Sequence, residues 1–257
     1  MNFLSINSFC KPFLQRIVLF FFIGVLAGCT SYKTQMGSQA TSFYNNQTLD
    51  TNTIVYSVFL TGNAANTQND GATPSLSNFK KRLEKASKNS STLFLGDNIF
   101  PLNGFNQNKT KAEEKITSQL NLTEKFKGEV FFIPGKSDWG NSTSSLLAQE
   151  SFLSKYKKKE SRLIPQNACG IEFISLSNKV ELVAIDSQWF LEDWNEHTEI
   201  NKGCSIKTRE QFFDELDSHL LENQEKTILL AIHHPLLSNG VYGGQYSFNE
   251  QLFPFDS

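Results

Sequence analysis

The densest chemistry in this chain lies in Ala231-Ile232-His233-His234-Pro235-Leu236-Leu237-Ser238-Asn239-Gly240. The apolar run 227–230 before it reads as a buried strand. A His-His-Pro turn at the end of such a strand aims imidazole nitrogens at the cleft where open α/β sheets bind ligands. Imidazole in that place suits a metal ion. Two upstream turns have the same character. Leu95-Gly96-Asp97-Asn98 follows the apolar run 92–95, and Ile133-Pro134-Gly135-Lys136-Ser137-Asp138-Trp139 closes the run 130–133. A carboxylate and a histidine pair at successive strand ends could share one site.

The elements that must position these turns alternate along the chain. Residues 54–60 form a dense apolar run ending in Thr61-Gly62-Asn63. Leu76, Phe79, Leu83 and Ala86 recur at helical spacing after Ser75, a plausible cap. Ala112, Ile116 and Leu120 mark a second helix, and Leu146, Leu147, Leu153 and Tyr156 a third. The runs 171–176 and 180–185, joined by Ser177-Asn178-Lys179, read as a hairpin. Phe212, Phe213, Leu216, Leu220 and Leu221 form a helical stripe leading into the histidine-bearing strand. Strands alternating with helices predict an α/β domain built on a central sheet, and no internal repeat is visible.

The 257 residues carry a net charge of −2 and 39% hydrophobic residues, enough for one globular domain. A near-neutral balance gives no support to nucleic-acid binding, which shows a clustered basic face. The lysine run 155–159 reads as a solvated helix end. The N-terminus carries Lys11 and Arg16 before an apolar core at 17–25, too short for a permanent membrane helix. It ends in Leu26-Ala27-Gly28-Cys29, which resembles a bacterial lipobox. That resemblance implies a leader at 1–28, lipid on Cys29, a polar spacer at 29–53, and a domain at 54–257 held at a membrane surface in the bacterial envelope. Cys169 and Cys204 remain, either as a disulfide or as two unrelated thiols, with the disulfide favoured in an oxidising compartment.

Taken in order, the turns resemble the calcineurin-like metallophosphoesterases. The resemblance covers about residues 54–244 and rests on Gly96-Asp97-Asn98-Ile99-Phe100-Pro101, Gly135-Lys136-Ser137-Asp138-Trp139-Gly140, His233-His234-Pro235 through Gly240, and Ile185-Asp186-Ser187-Gln188-Trp189-Phe190 with Asp193-Trp194. This version is similar to the bacterial lipoprotein members related to purple acid phosphatases. The resemblance implies an α/β sandwich of central sheets flanked by helices. It also implies two divalent cations that clamp a phosphoester and activate water, with Asp97 as the bridging carboxylate and His233 as a strand-end ligand.

Several family positions hold other residues. Asn63 stands where the first-strand Asp is expected, Lys136 where a ligand Asn is expected, and Ser137 where the catalytic His is expected, with His234 beside the site. The closing Gly-His-x-His is expected beyond Ser257 or is absent, and the last strands of the fold with it. The substitutions leave open whether this chain binds metal at all. One reading has the Lys136 ammonium beside Asp97 in place of a cation, giving a site without turnover. Others are a reduced phosphoesterase and a non-catalytic envelope binding or scaffold protein. A phosphate or phosphoester ligand is expected, and no protein partner is specified.

Overall fold

The chain divides into Met1–Thr53 and Ile54–Ser257. The computed structural model describes residues 54–65, 73–140, 142–195 and 197–235. The leader, Cys29, the spacer, the 236–240 part of the histidine motif and the apolar segment 251–257 lie outside the described residues.

The first sheet holds β1 (Ser57–Thr61), β2 (Ser90–Leu95), β3 (Glu129–Ile133) and β4 (Arg162–Leu163), all parallel and in that order. The second holds β5 (Ile171–Ser177), β6 (Val180–Ile185) and β7 (Thr227–Ile232); β5 pairs antiparallel with β6, and β7 pairs parallel with it. The helices are α1 (Pro74–Lys85), α2 (Lys109–Leu122), α3 (Lys136–Trp139), α4 (Thr143–Lys155), α5 (Ser187–Leu191) and α6 (Arg209–Glu222). The protein is therefore α/β, with a parallel four-stranded sheet flanked by helices.

Side-chain alternation divides the core into two layers. Leu93, Phe131 and Ile133 of the first sheet pack with Ile174, Leu182, Ala184 and Ala231 of the second. From the opposite faces, Phe94, Val130, Phe132, Val183 and Ile185 join the helix-side core with Leu83, Ile116, Leu120, Leu146 and Phe212. Phe94 and Phe132 stack at 4.4 Å across β2 and β3. Covered on both faces, β2 is buried along most of its length, which explains its continuous apolar run.

Several sequence expectations change. The cap of α1 is Thr73, whose hydroxyl accepts from the Leu76 N–H at 3.3 Å, and Ser75 lies inside the helix after Pro74. Leu147 is 46% exposed, and α6 fully buries only Phe212 of its stripe, leaving Phe213 and Leu221 in solvent. Among the described residues β7 is the outer strand of its sheet, and Ala231 is its one buried residue, so the run 227–230 is not a buried strand. Cys169 and Cys204 are joined in a disulfide with their Cα atoms 5.6 Å apart.

Candidate functional site

Parallel strands β1 and β2 are each followed by a glycine and then a residue in the left-handed region. Gly62-Asn63 follows β1 and Gly96-Asp97 follows β2, with Asn63 at φ 52 and Asp97 at φ 55. Asn and Asp are the non-glycine residues that best tolerate this left-handed region. The two side chains thus occupy equivalent strand-end positions, Asn63 exposed and Asp97 partly buried.

The His233 ring lies against two glycines. A Cβ on Gly96, itself at φ 88, would stand 2.3 Å from His233 Nδ1. A Cβ on Gly135 would stand 2.5 Å from the Asp97 backbone nitrogen and 2.8 Å from His233 Cε1. The ends of β2, β3 and β7 can therefore converge only because these two positions lack side chains.

His233 Nδ1 lies 2.7 Å from the Leu95 carbonyl oxygen, which can only accept, so Nδ1 carries the proton. Nε2 then faces Asp97, 3.7 Å from Oδ1. That separation is longer than a hydrogen bond. A protonated Nε2 makes an ion pair there; an unprotonated one presents a lone pair to a carboxylate, which a bridging water or a cation between them would satisfy. The same Oδ1 accepts from the Ser137 backbone N–H at 2.9 Å.

Beneath this surface Asp138 ties the strand ends together. Its carboxylate accepts from the Asn98 backbone N–H at 3.0 and 3.1 Å, from Asn98 Nδ2 at 3.1 Å and from the Gly135 N–H at 2.9 Å. Asn98 Nδ2 also donates to the Ile133 carbonyl, and Gln119 Nε2 donates to the Asn98 carbonyl. Complete burial pushes Asp138 up to about 7, against the opposing pull of these N–H donors.

A second buried carboxylate links the two sheets. Asp186, at the end of β6, accepts from Trp139 Nε1 at 2.7 Å and from the Gln188 and Trp189 N–H groups of α5. Burial pushes it, too, up to about 7. The next residue, Ser187, has its hydroxyl 2.7 Å from His234 Nδ1 and accepts the His234 backbone N–H at 3.2 Å. Desolvation, then the neighbouring His233, holds His234 below its ordinary pKa, with Asp97 opposing and Lys136 adding to the effect. His234 is accordingly a neutral imidazole near pH 7.

The structure brings Asp97, Ser137, His233 and His234 into one neighbourhood. Lys136 is exposed and forms no ion pair with Asp97 among the described residues, so the Lys136–Asp97 pairing expected from the sequence gives way to Asp97–His233. Ser137 is 8% exposed and its hydroxyl has no partner among the described residues; the turn is capped by Asp138 instead.

A two-cation centre does not fit this donor set. Asn63 is a neutral, weaker ligand than a carboxylate, a charged lysine cannot coordinate, and no group of three or more His, Cys, Asp or Glu side chains converges among the described residues. Of the family ligand positions among the described residues, Asp97 and His233 keep donor side chains of the expected type. Sequence reasoning named Asp138 only as part of a turn motif and missed the supporting parts played by Asn98, Gln119 and Ser187. These link positions 21 to 47 residues apart, and no local pattern signals them.

Among known proteins, no family model matches the chain, and neither a curated protein nor a solved structure shows significant similarity to it.

Proposed function

We propose that this chain is a metallophosphoesterase-type lipoprotein of the bacterial envelope, anchored through Cys29, whose phosphoester hydrolysis is lost or severely reduced. The observation that carries this reading is the Asp97–His233 pair. These residues meet across strand ends that converge on Gly96 and Gly135, with His233 oriented by the Leu95 carbonyl. The order of the motifs along the chain supports the family, and the residues at the remaining ligand positions support the loss. Asn63 gives a second cation no charge, Lys136 repels it, and Ser137 is a far weaker acid than the histidine it replaces.

The domain then retains the cleft and its hydrogen-bonded frame without the electrophile. The test is hydrolysis of p-nitrophenyl phosphate with added manganese or zinc. The full chain should show no turnover above a protein-free blank. The variant Asn63→Asp with Lys136→Asn and Ser137→His should gain metal-dependent turnover. Hydrolysis by the parent that is abolished by Asp97→Asn would contradict the proposal.

A further inference from the structure

A second site lies at the opposite ends of β2 and β3 from Asp97. A cavity of about 280 Å³ is lined by Lys88, Lys127, Lys159 and Arg162, together with Glu129, Glu160 and Ser161. Lys88 lies two residues before the start of β2; Lys127 and Gly128 precede β3; Lys159, Glu160 and Ser161 precede β4. Cations thus gather at one edge of a sheet whose opposite edge holds the candidate site, so the two are separated by the length of the strands.

The cations are held differently. Lys159 belongs to the run expected to be a solvated helix end, but its ammonium turns inward and donates to the Phe126 carbonyl at 2.7 Å and the Gly128 carbonyl at 2.9 Å. Its ammonium also lies 5.3 Å from the Phe126 ring centroid. Arg162 is fixed over the Phe131 ring at 5.1 Å and lies 3.7 Å from Glu172. Lys88 and Lys127 have no ion-pair partner among the described residues and are free to turn toward a ligand. Ser161 is 6% exposed, and its hydroxyl has no hydrogen-bond partner among the described residues. A buried hydroxyl without a partner is costly unless a ligand or water satisfies it.

We infer that this cavity binds a phosphate group. Four cations against two carboxylates leave an excess of positive charge in a chain whose net charge is −2. Glu129 and Glu160 at the rim disfavour polyanions such as nucleic acid, which need an unbroken basic face. The volume lies just below the range of about 300–1,000 Å³ usual for small-molecule sites, which suits one phosphate with a small substituent. Lys88 and Lys127 supply the mobile charge and Lys159 a fixed one. The inference does not depend on the function proposed for the strand ends.

The experiment is titration calorimetry of the full chain with inorganic phosphate, and separately with dimethyl phosphate as the counterpart of a lipid phosphodiester. Saturable binding should weaken about tenfold or more in Lys88→Gln/Lys127→Gln, as expected for lost charge-assisted contacts. Lys136→Gln, at the other edge of the sheet, should leave it unchanged. Preference for inorganic phosphate identifies a free phosphate or monoester as the ligand; preference for the diester identifies a lipid headgroup. Binding of neither probe, or binding that survives Lys88→Gln/Lys127→Gln, overturns the inference, and binding lost in Lys136→Gln alone assigns the phosphate to the strand-end site instead.

Discussion

At the scale of single residues, the site depends on what is missing as much as on what is present. Gly96 has no side chain because the His233 ring occupies its place, and its φ of 88 lies where an L-residue is strained. Gly96→Ala should therefore cost about 2 kcal/mol or more in urea unfolding, by strain and by displacement of the imidazole; an unchanged midpoint would mean His233 does not pack there. Asp138 and Asp186 carry a second expectation. Both are raised to about 7 by burial, so between the unfolded carboxylate range near 4 and about 7 the folded chain binds more protons than the unfolded one. Stability should fall as pH rises through that window and level off above it. Urea midpoints measured from pH 4 to pH 8 check this, and a rising trend over the window would contradict the raised values. Asp97 and His233 were legible in the sequence because strand-end turns announce themselves through Gly-Asp and His-His-Pro. The ring contact that makes Gly96 indispensable was not, since it joins positions far apart in the chain.

At the scale of elements, local signals worked where one segment decides its own fate. The strand β6 covers the apolar run 180–185, and the turn Ser177-Asn178-Lys179 joins it to β5. They failed where a neighbour decides. The run 227–230 is apolar enough for a buried strand, yet among the described residues β7 is the outer strand of its sheet and leaves Thr227 and Leu230 exposed. Thr73 caps α1 because Pro74 fixes the first helical position, which moves the start ahead of Ser75. Thr73→Ala should lower stability by about 1 kcal/mol, measured as a shift in denaturant midpoint. The disulfide closes a stretch with a sequence separation of 35 that contains β5, β6 and α5. Replacing Cys169 and Cys204 by Ser should cost about 4 kcal/mol on the chain-entropy account. A thermal unfolding temperature unaffected by reductant would show that this loop is held by its other contacts, such as Trp189 Nε1 donating to Asn201 at 2.7 Å.

At the scale of the whole molecule, two sheets share one apolar interface, and their strand ends share one polar frame. Asp138 holds the turns after β2 and β3, Trp139 reaches Asp186 after β6, and Ser187 reaches His234 after β7. That frame keeps the candidate site rigid whether or not chemistry occurs in it. The α/β class was readable from alternating strands and helices. The division into two facing sheets was implied only by resemblance, because periodicity tells which residues face a core but not which sheet faces them. The central claim is that the frame persists while too few ligands remain at the strand ends to hold a metal. Metal content of the purified full chain, measured by mass spectrometry after exposure to manganese, zinc and iron, tests it most directly. The parent should retain well under one equivalent, while Asn63→Asp with Lys136→Asn and Ser137→His should gain metal. A parent holding about two equivalents, the complement of an intact two-metal site, would contradict the account.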